Sequence, residues 1–304
     1  MVDAGAGPGA ACRPSATVVV CTVARPELLA TCLASIAGAM GAGDELIVVG
    51  ADSVPIRRQG DGDGAPAHDQ TSGLGVRARW LWCDPPGKSR QLNRAAAVAE
   101  GEVLVLTDDD CVVSPGWVDG MVSAFGDPEV GAAFGPVRGL SAVPGPPAPR
   151  LPPGPAPIEH WIYAHGAAMA VRRSALFDIG GFDERLGPGA GAHGEEGDVV
   201  LRLRERGWAC RISDAPVVEH QDWRSEDEEA RNLLVYERGG GALIGAALRR
   251  ALRSSMKVFL LRLEYQAHLW TEPRRRGWMF GLRTTVAFAR GVWYGLRLRP
   301  RTWL

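Results

Sequence analysis

Three consecutive aspartates, Asp108, Asp109 and Asp110, follow closely on the apolar run Val103–Leu106. Carboxylates this close repel each other unless a cation neutralises them. On an extended segment, alternate side chains point to the same side, so Asp108 and Asp110 are predicted to converge on one site while Asp109 faces away. Hard divalent cations prefer such oxygen ligands. The triplet therefore predicts a cation site, and a solvated acidic turn is the simpler alternative.

A second acidic group contains Glu195, Glu196 and Asp198 and precedes the apolar run Val199–Leu203. Acids in the first turn of a helix are favoured by its dipole, so simple capping is one interpretation. The functional interpretation is that a carboxylate here is a general base for a hydroxyl group, with a pKa raised by apolar surroundings. Arg202 lies one turn after Asp198, and we expect it to pair with Asp198 or to face a phosphate.

Several other side chains could take part in chemistry. His220 ends a strand-like run, and a lone histidine of this kind is either structural or a metal ligand. Lys88, Arg90 and Arg172 could assist a phosphate group or could be ordinary surface cations.

Short apolar runs that alternate with helical patterns must position these residues. Strands are predicted at residues 17–21, 46–49, 80–82 and 103–106, and helices from Pro26, over residues 91–99, and from Pro115 with Ser114 as N-cap. This alternation predicts an α/β fold with a doubly wound, mostly parallel sheet. Ligands of such sheets bind beyond the carboxyl ends of the strands, where Asp108 is expected to lie.

Three segments interrupt this pattern. Residues 1–14 are rich in Gly, Ala and Pro and are predicted to be disordered, and residues 54–78 are predicted to be a flexible insertion. Pro144–Pro157 holds eight prolines and is predicted to be a partly extended loop, either a linker or part of a lid.

The chain divides by charge at about residue 230. Residues 231–304 carry 15 Lys and Arg against three acids, a net charge of +12, so residues 1–230 carry −13 within the overall −1. We predict a main domain over residues 15–230 and a basic, amphipathic helical tail over 231–304. The tail either packs on the domain or on a second subunit of a homodimer, or it lies on an anionic membrane surface.

The expected compartment is the cytoplasm. No basic start followed by an apolar run is evident, and no run of 18 apolar residues occurs. The six cysteines lack a C-x-x-C pair and are predicted to be buried thiols in a reducing compartment. We expect a cytoplasmic protein that is soluble or peripheral on the inner face of the cell membrane.

Six segments in order resemble the non-processive, bacterial type of family 2 glycosyltransferase, which has the GT-A fold. The matching segments are Val19–Leu29, Gly87–Ala96, Leu106–Trp117, Met169–Arg173, Gly180–Glu184 and Gly194–Arg202. The resemblance extends over about residues 17–222. It implies an inverting transfer of a sugar from a nucleotide-diphosphate sugar to a hydroxyl acceptor, which is a glycan, a lipid-linked group or a small molecule.

The resemblance also implies individual roles. Asp108-x-Asp110 resembles the DxD motif, with Asp110 and Asp108 at a Mn²⁺ or Mg²⁺ ion and His220 as a further metal ligand. The Glu195-Glu196 pair resembles the catalytic acidic pair, with Glu196 as the base. The residues expected to contact the donor are Arg25, Asp52, Lys88, Asp108 and Arg202. The segment around Asp52 departs from the usual Asp-Asp-Gly-Ser, so the nucleotide base is undefined.

Two other functions fit part of this pattern. A nucleotidyltransferase on a similar sheet also needs paired acids, but residues 22–26 do not form the Gly-rich basic loop typical of that class. A catalytically inactive module that binds nucleotide sugars is the other alternative. Nucleic acid is not an expected partner.

Overall fold

The computed structural model describes residues 13–23, 25–51, 73–139, 154–155, 165–221, 226–250, 252–271, 278–299, 301–302 and 304. The strands are β1 Ala16–Thr22, β2 Glu45–Gly50, β3 Arg77–Trp82, β4 Val103–Asp108, β5 Cys111–Val112, β6 Val130–Phe134, β7 Val137–Arg138, β8 Gly154–Pro155, β9 Met169–Arg172, β10 Ala209–Ile212 and β11 Val218–His220. The helices are α1 Pro26–Ala37, α2 Lys88–Val98, α3 Trp117–Ser123, α4 Arg173–Asp178, α5 Glu195–Glu205, α6 Glu226–Arg250, α7 Leu252–Thr271 and α8 Trp278–Arg297.

The main sheet has eight strands in the order β3-β2-β1-β4-β9-β6-β10-β8. Strand β1 pairs in parallel with β2 and β4, while β9 runs antiparallel between β4 and β6. Alternate residues of β1 belong to different cores: Val18 and Val20 pack with α1 and α3, and Val19 packs with α2, α4 and α5. Because both faces are covered, the strands are continuously apolar, as expected for parallel strands. The predicted mostly parallel α/β sheet is confirmed.

A second, three-stranded sheet has the order β5-β11-β7. Strand β11 runs antiparallel to β5, which places His220 opposite Cys111. It runs parallel to β7, with Val218 opposite Val137. This small sheet was not predicted from the sequence, and it brings residue 220 back to the aspartate triplet.

Several predicted boundaries need correction. Helix α3 begins at Trp117 rather than Pro115, because Gly116 adopts a left-handed conformation with φ 79°. The Trp117 amide donates to the Ser114 carbonyl over 3.1 Å, so this segment is a turn rather than an N-cap. Most of the predicted disordered N-terminus and of the insertion lies outside the described residues, and β3 already begins at Arg77. The described Gly154–Pro155 is extended along β10.

The tail helices α6 and α8 pack closely together and against α5. A Cβ atom added at Gly291 or Gly295 would lie 2.0 Å from the carbonyl oxygen of Arg238 or Ala242, so glycines allow the two backbones to touch. Leu201 of α5 joins a small core with α6 and α8. Helix α6 begins at Glu226, ahead of the predicted boundary at 231.

Two further findings concern the tail and the cysteines. Among the described helices, none combines the length and the apolar character that crossing a membrane requires.

Five cysteines are buried and have free thiols, as predicted: Cys21, Cys32, Cys83, Cys111 and Cys210. Cys12 lies outside the described residues.

Candidate active site

The aspartate triplet lies at the carboxyl edge of the main sheet. Strands β1 and β4 run in parallel with Cys21 opposite Asp108, so both strands end at the same place. The next residue of β1, Thr22, donates its hydroxyl to Asp109 Oδ2 over 2.6 Å. Asp109 is fully buried, and this hydrogen bond turns its side chain towards β1. The acids are therefore held by the ends of two central strands.

Lys88, the first residue of α2, brings the two acidic groups together. Its Nζ lies 2.7 Å from Asp108 Oδ1, 3.4 Å from Glu196 Oε1 and 3.9 Å from Glu195 Oε1. Burial alone would lower the pKa of Lys88, but Asp108, Glu196 and Glu195 outweigh it and raise that pKa well above its ordinary value. Burial likewise opposes ionisation of Asp108, yet Lys88 lowers its pKa. The amine is thus a fixed positive charge at the centre of the site.

Arg25 precedes α1 and spans the other two aspartates. Its Nη2 lies 2.5 Å from Asp109 Oδ1, and its Nη1 lies 2.9 Å from Asp110 Oδ2. Burial raises the pKa of Asp109 to about 6, although Arg25 and the Thr22 hydroxyl act in the opposite direction. Of the residues predicted to contact a donor, Arg25, Lys88 and Asp108 therefore lie in one cluster, while Asp52 lies outside the described residues.

His220 lies beside Asp110, as the pairing of β11 with β5 requires. Its Nε2 is 3.3 Å from Asp110 Oδ1, and the Gln221 amide donates to the Asp110 carbonyl over 2.7 Å. Within the described residues, the donor atoms of Asp110, Cys111 and His220 all lie within 4.8 Å of one another. Asp108 does not belong to this group and pairs with Lys88 instead.

The chemistry of this donor set fits a divalent cation. Burial raises the pKa of the Cys111 thiol to about 12, so Cys111 is uncharged at neutral pH. A carboxylate and an imidazole remain, and both are ligands of ions such as Mn²⁺. In addition, His220 Nδ1 is buried and has no hydrogen-bond partner among the described residues.

Glu195 and Glu196 begin α5, directly after Gly194, which has φ 106°. Glu195 is 2% exposed and accepts a hydrogen bond from the Gly194 amide at 3.1 Å. Burial and the neighbouring Glu196 raise the pKa of Glu195 well above its ordinary value. The Glu196 side chain is 19% exposed and contacts Lys88, so it is the more accessible carboxylate of the pair.

The residues just before β9 close the site from another side, and sequence reasoning missed them. A Cβ atom on Gly166 would lie 2.2 Å from Glu196 Oε1 and 2.8 Å from Lys88 Nζ. The adjacent His165 lies near enough to Glu196 and Asp108 to feel their charge, while burial lowers its pKa. The only local signal is the run of small residues before Met169.

The polar residues of α2 fix the surroundings of Lys88. Gln91 donates to the carbonyls of Val49 at 2.6 Å and Thr22 at 3.2 Å, which ties the ends of β1 and β2 together. Ser89 donates to the Leu186 carbonyl at 2.6 Å. Ser89 and Gln91 therefore fix the start of α2 to the surrounding backbone, and this holds Lys88 against the acids.

Two predicted phosphate-contacting arginines have structural partners. Arg202 donates to Asp198 at 2.7 Å and to the carbonyls of Ile179 and Gly181 at 2.7 Å, so it forms the predicted pair and supports the 179–181 loop. Arg172, which could have assisted a phosphate or been a surface cation, is buried opposite Val103, at the far end of β4 from the aspartates. It donates to the carbonyls of Val130 at 3.0 Å and Phe125 at 2.8 Å.

The fold and this arrangement of acids define a class. GT-A glycosyltransferases have an α/β sheet with an Asp-x-Asp pair at the end of a central strand. This pair faces an acidic pair at the start of a helix, as it does here. The model of the family described as glycosyl transferase family 2 matches residues 17–181, more than half of the chain. The chain belongs to glycosyl transferase family 2.

A relative supports this family over a limited region. The O-antigen biosynthesis protein RfbC of Myxococcus xanthus is 34% identical over 137 residues, which is 38% of this chain. The match spans only 10% of the length of that relative.

Solved structures extend the likeness over the whole fold. The mannosyltransferase PcManGT of Pyrobaculum calidifontis superposes with a TM-score of 0.59 at 16% identity, covering 92% of this chain and 88% of that one. S. aureus TarS gives 0.54 at 13% identity, with 79% and 44% covered. GalNAc-T7 gives 0.51 at 14% identity, with 75% and 47% covered. At these identities, the likeness shows a shared fold.

Proposed function

We propose that the protein is an inverting, divalent-metal-dependent glycosyltransferase that moves a sugar from a nucleoside-diphosphate sugar to a hydroxyl group. The observation that carries this proposal is the convergence of Asp108 and Glu196 on Lys88, at 2.7 and 3.4 Å. Lys88 therefore lies between the aspartate triplet, which is suited to bind a cation, and the accessible Glu196 carboxylate, which is suited to act as a base.

In the proposed reaction, Glu196 removes the proton of the acceptor hydroxyl while the oxygen forms a bond to the anomeric carbon of the sugar. The bond from that carbon to the diphosphate oxygen breaks on the opposite side, which inverts the configuration. Glu195 supports the helix start through Gly194, and Lys88 offers positive charge to the leaving diphosphate.

Asp110 and His220 are the residues proposed to hold the metal ion, with Asp108 close by. When bound, the ion supplies positive charge that stabilises the departing diphosphate. The solved structures of PcManGT and GalNAc-T7 contain Mn²⁺ together with GDP-Man or with UDP and GalNAc, and this supports Mn²⁺ as the first ion to test. The similarity to an O-antigen biosynthesis protein supports a saccharide, free or lipid-linked, as the acceptor.

The test is a transfer assay with Mn²⁺ and a panel of nucleotide sugars that includes GDP-mannose and UDP-sugars. Glu196→Gln is expected to lower the rate by about 10²- to 10⁴-fold, the contribution typical of a general base. Asp110→Ala is expected to lower the rate as well, because a proposed ligand of the metal ion is lost. Glu100→Gln changes an acid whose side chain is 55% exposed and should leave the rate unchanged. Full activity of both site variants would overturn the proposal, and release of pyrophosphate would indicate a nucleotidyltransferase.

A further inference from the structure

Helix α8 buries one side and exposes the other. Its buried residues face α6 and the domain, and they are Phe280, Gly281, Thr284, Phe288, Gly291 and Gly295. In a water-soluble protein, the opposite side of such a helix is normally polar.

The exposed side of α8 is instead apolar. Its outward residues, with their exposed fractions, are Trp278 69%, Leu282 44%, Val286 40%, Trp293 58% and Leu296 41%. At 3.6 residues per turn, these positions fall within an arc of roughly 80° that lies opposite the buried residues. We call these five residues the α8 stripe.

A row of arginines borders the α8 stripe. Arg283, Arg290 and Arg297 are all exposed and are spaced seven residues apart, so they align along one edge of the stripe. The Arg297 guanidinium lies 4.1 Å from the centre of the Trp293 ring, which brings the cationic row against the apolar one.

Helix α7 repeats the pattern of exposed apolar residues. Met256, Leu260 and Leu263 are 38%, 57% and 43% exposed, at a spacing that places them on one side of the helix. Lys257 next to them is exposed as well. The part of the chain that carries these surfaces, residues 231–304, has a net charge of +12.

We propose that the α8 stripe and its arginine row dock on a lipid bilayer that contains anionic headgroups. Apolar side chains would enter the interface, tryptophans would lie at headgroup depth, and the arginines would pair with lipid phosphates. Charge complementarity favours this partner over a second copy of the chain, because α8 of a second copy carries the same arginines and no acidic residue to pair with them.

The test uses the full-length protein in co-sedimentation with vesicles of phosphatidylcholine, with or without phosphatidylglycerol, at low and high salt. The wild type should bind only the anionic vesicles, more weakly at high salt. The triple variant Arg283→Gln, Arg290→Gln and Arg297→Gln should lose on the order of 100-fold in partitioning. The variant Leu282→Gln with Trp293→Gln should lose about 10-fold or more.

Matched controls come from the main domain. Arg77, Arg94 and Arg206 are exposed, so their triple change to Gln removes the same charge. Val98 and Phe177 are 40% and 39% exposed and serve as the apolar control. Both controls should bind vesicles like the wild type. The proposal is overturned if wild-type protein ignores anionic vesicles at low salt, if controls and stripe variants lose binding equally, or if stripe variants only convert a dimer to a monomer in light scattering.

Discussion

At the scale of single residues, the position of Glu196 depends on a glycine that is distant in sequence. A Cβ atom on Gly166 would overlap Glu196 Oε1 and crowd Lys88 Nζ, and both groups are held by the same ion pairs. Gly166→Ala should therefore push the Glu196 carboxylate away from the acceptor. We expect kcat to fall by about 10²-fold, the cost of a misplacement near 1 Å. Steady-state kinetics with a thermal unfolding scan will measure this.

Gly126→Ala is the matched control, since a Cβ atom there would have no neighbour within 4 Å. That variant should keep both its kcat and its unfolding temperature. A Gly166→Ala enzyme with wild-type kcat would show that Glu196 has room to move without consequence, and would count against its role as the base.

The acids of the site could be predicted from the sequence, and the family resemblance added the three basic residues Arg25, Lys88 and His220. Gly166 and Cys111 could not be predicted. Asp108 and Glu196 each stand beside an apolar segment, which marks them in a single chain. Gly166 is required by a contact with α5, and nothing in its own neighbourhood signals this. Cys111 lies near His220 only because β5 and β11 pair, and strands of two and three residues leave no readable pattern.

At the scale of elements, α5 is held in place by a buried ion pair network. Asp198 accepts from Arg202 at 2.7 Å and from Arg250 of α6 at 3.0 Å, so it joins the helix of the proposed base to the tail. Burial would raise the pKa of Asp198, but the two arginines outweigh it and lower that pKa. Its stabilising contribution is therefore complete above the unfolded pKa of about 3.9 and is lost as pH falls through the lower folded pKa.

Asp198→Asn should lower the free energy of unfolding by about 3–5 kcal/mol at pH 7, because it removes the buried carboxylate that the partly buried Arg202 and Arg250 share. The difference from the wild type should stay constant down to about pH 5 and shrink at lower pH. Urea unfolding at several pH values measures both effects. Asp119→Asn, whose side chain is 63% exposed, should cost less than about 1 kcal/mol. A difference that grows on acidification would contradict this account.

The elements that could be predicted are those whose own sequence reports their surroundings. The strands β1, β2 and β4 are buried on both faces, so their sequences are unbroken apolar runs that predict strands directly. The start of α3 was wrong by two residues because Ser114 and Pro115 suit a helix start locally, whereas Gly116 takes a left-handed conformation. The antiparallel direction of β9 depends on pairing with β4 and β6, which local sequence does not encode.

At the scale of the whole molecule, the basic tail and acidic domain use their charges in two ways. Arg250 faces inward and pairs with Asp198 and Glu205 of the domain, so part of the tail's charge stabilises the fold. Arg283 and Arg290 face outward on α8. Some of the basic residues in the tail therefore stabilise the fold, and others form the surface proposed to bind a membrane. Composition alone could not separate these two groups.

If the proposed function is right, the balance of charge at the active site should make nucleotide binding depend on metal. A nucleoside diphosphate adds negative charge beside Asp108, Asp109 and Asp110, which already share Lys88 and Arg25. Repulsion from the acids opposes the nucleotide unless a further cation enters with it. Binding of Mn²⁺ and nucleotide should therefore be cooperative, because each ligand reduces the charge cost of the other.

Thermal unfolding of the full-length protein measures this coupling. Mn²⁺ with GDP or UDP at about 100 times Kd should stabilise the native state by about 2.7 kcal/mol, a rise of roughly 4–6 °C in the unfolding temperature, and either ligand alone should give much less. Asp110→Ala should abolish the cooperative part, because the proposed metal ligand is gone, while Asp119→Ala removes an exposed acid and should respond like the wild type. If nucleotide alone gave the full shift, or if Asp110→Ala kept the joint effect, the proposed metal would not be held at Asp110, and the neutralising charge would have to come from Lys88 and Arg25.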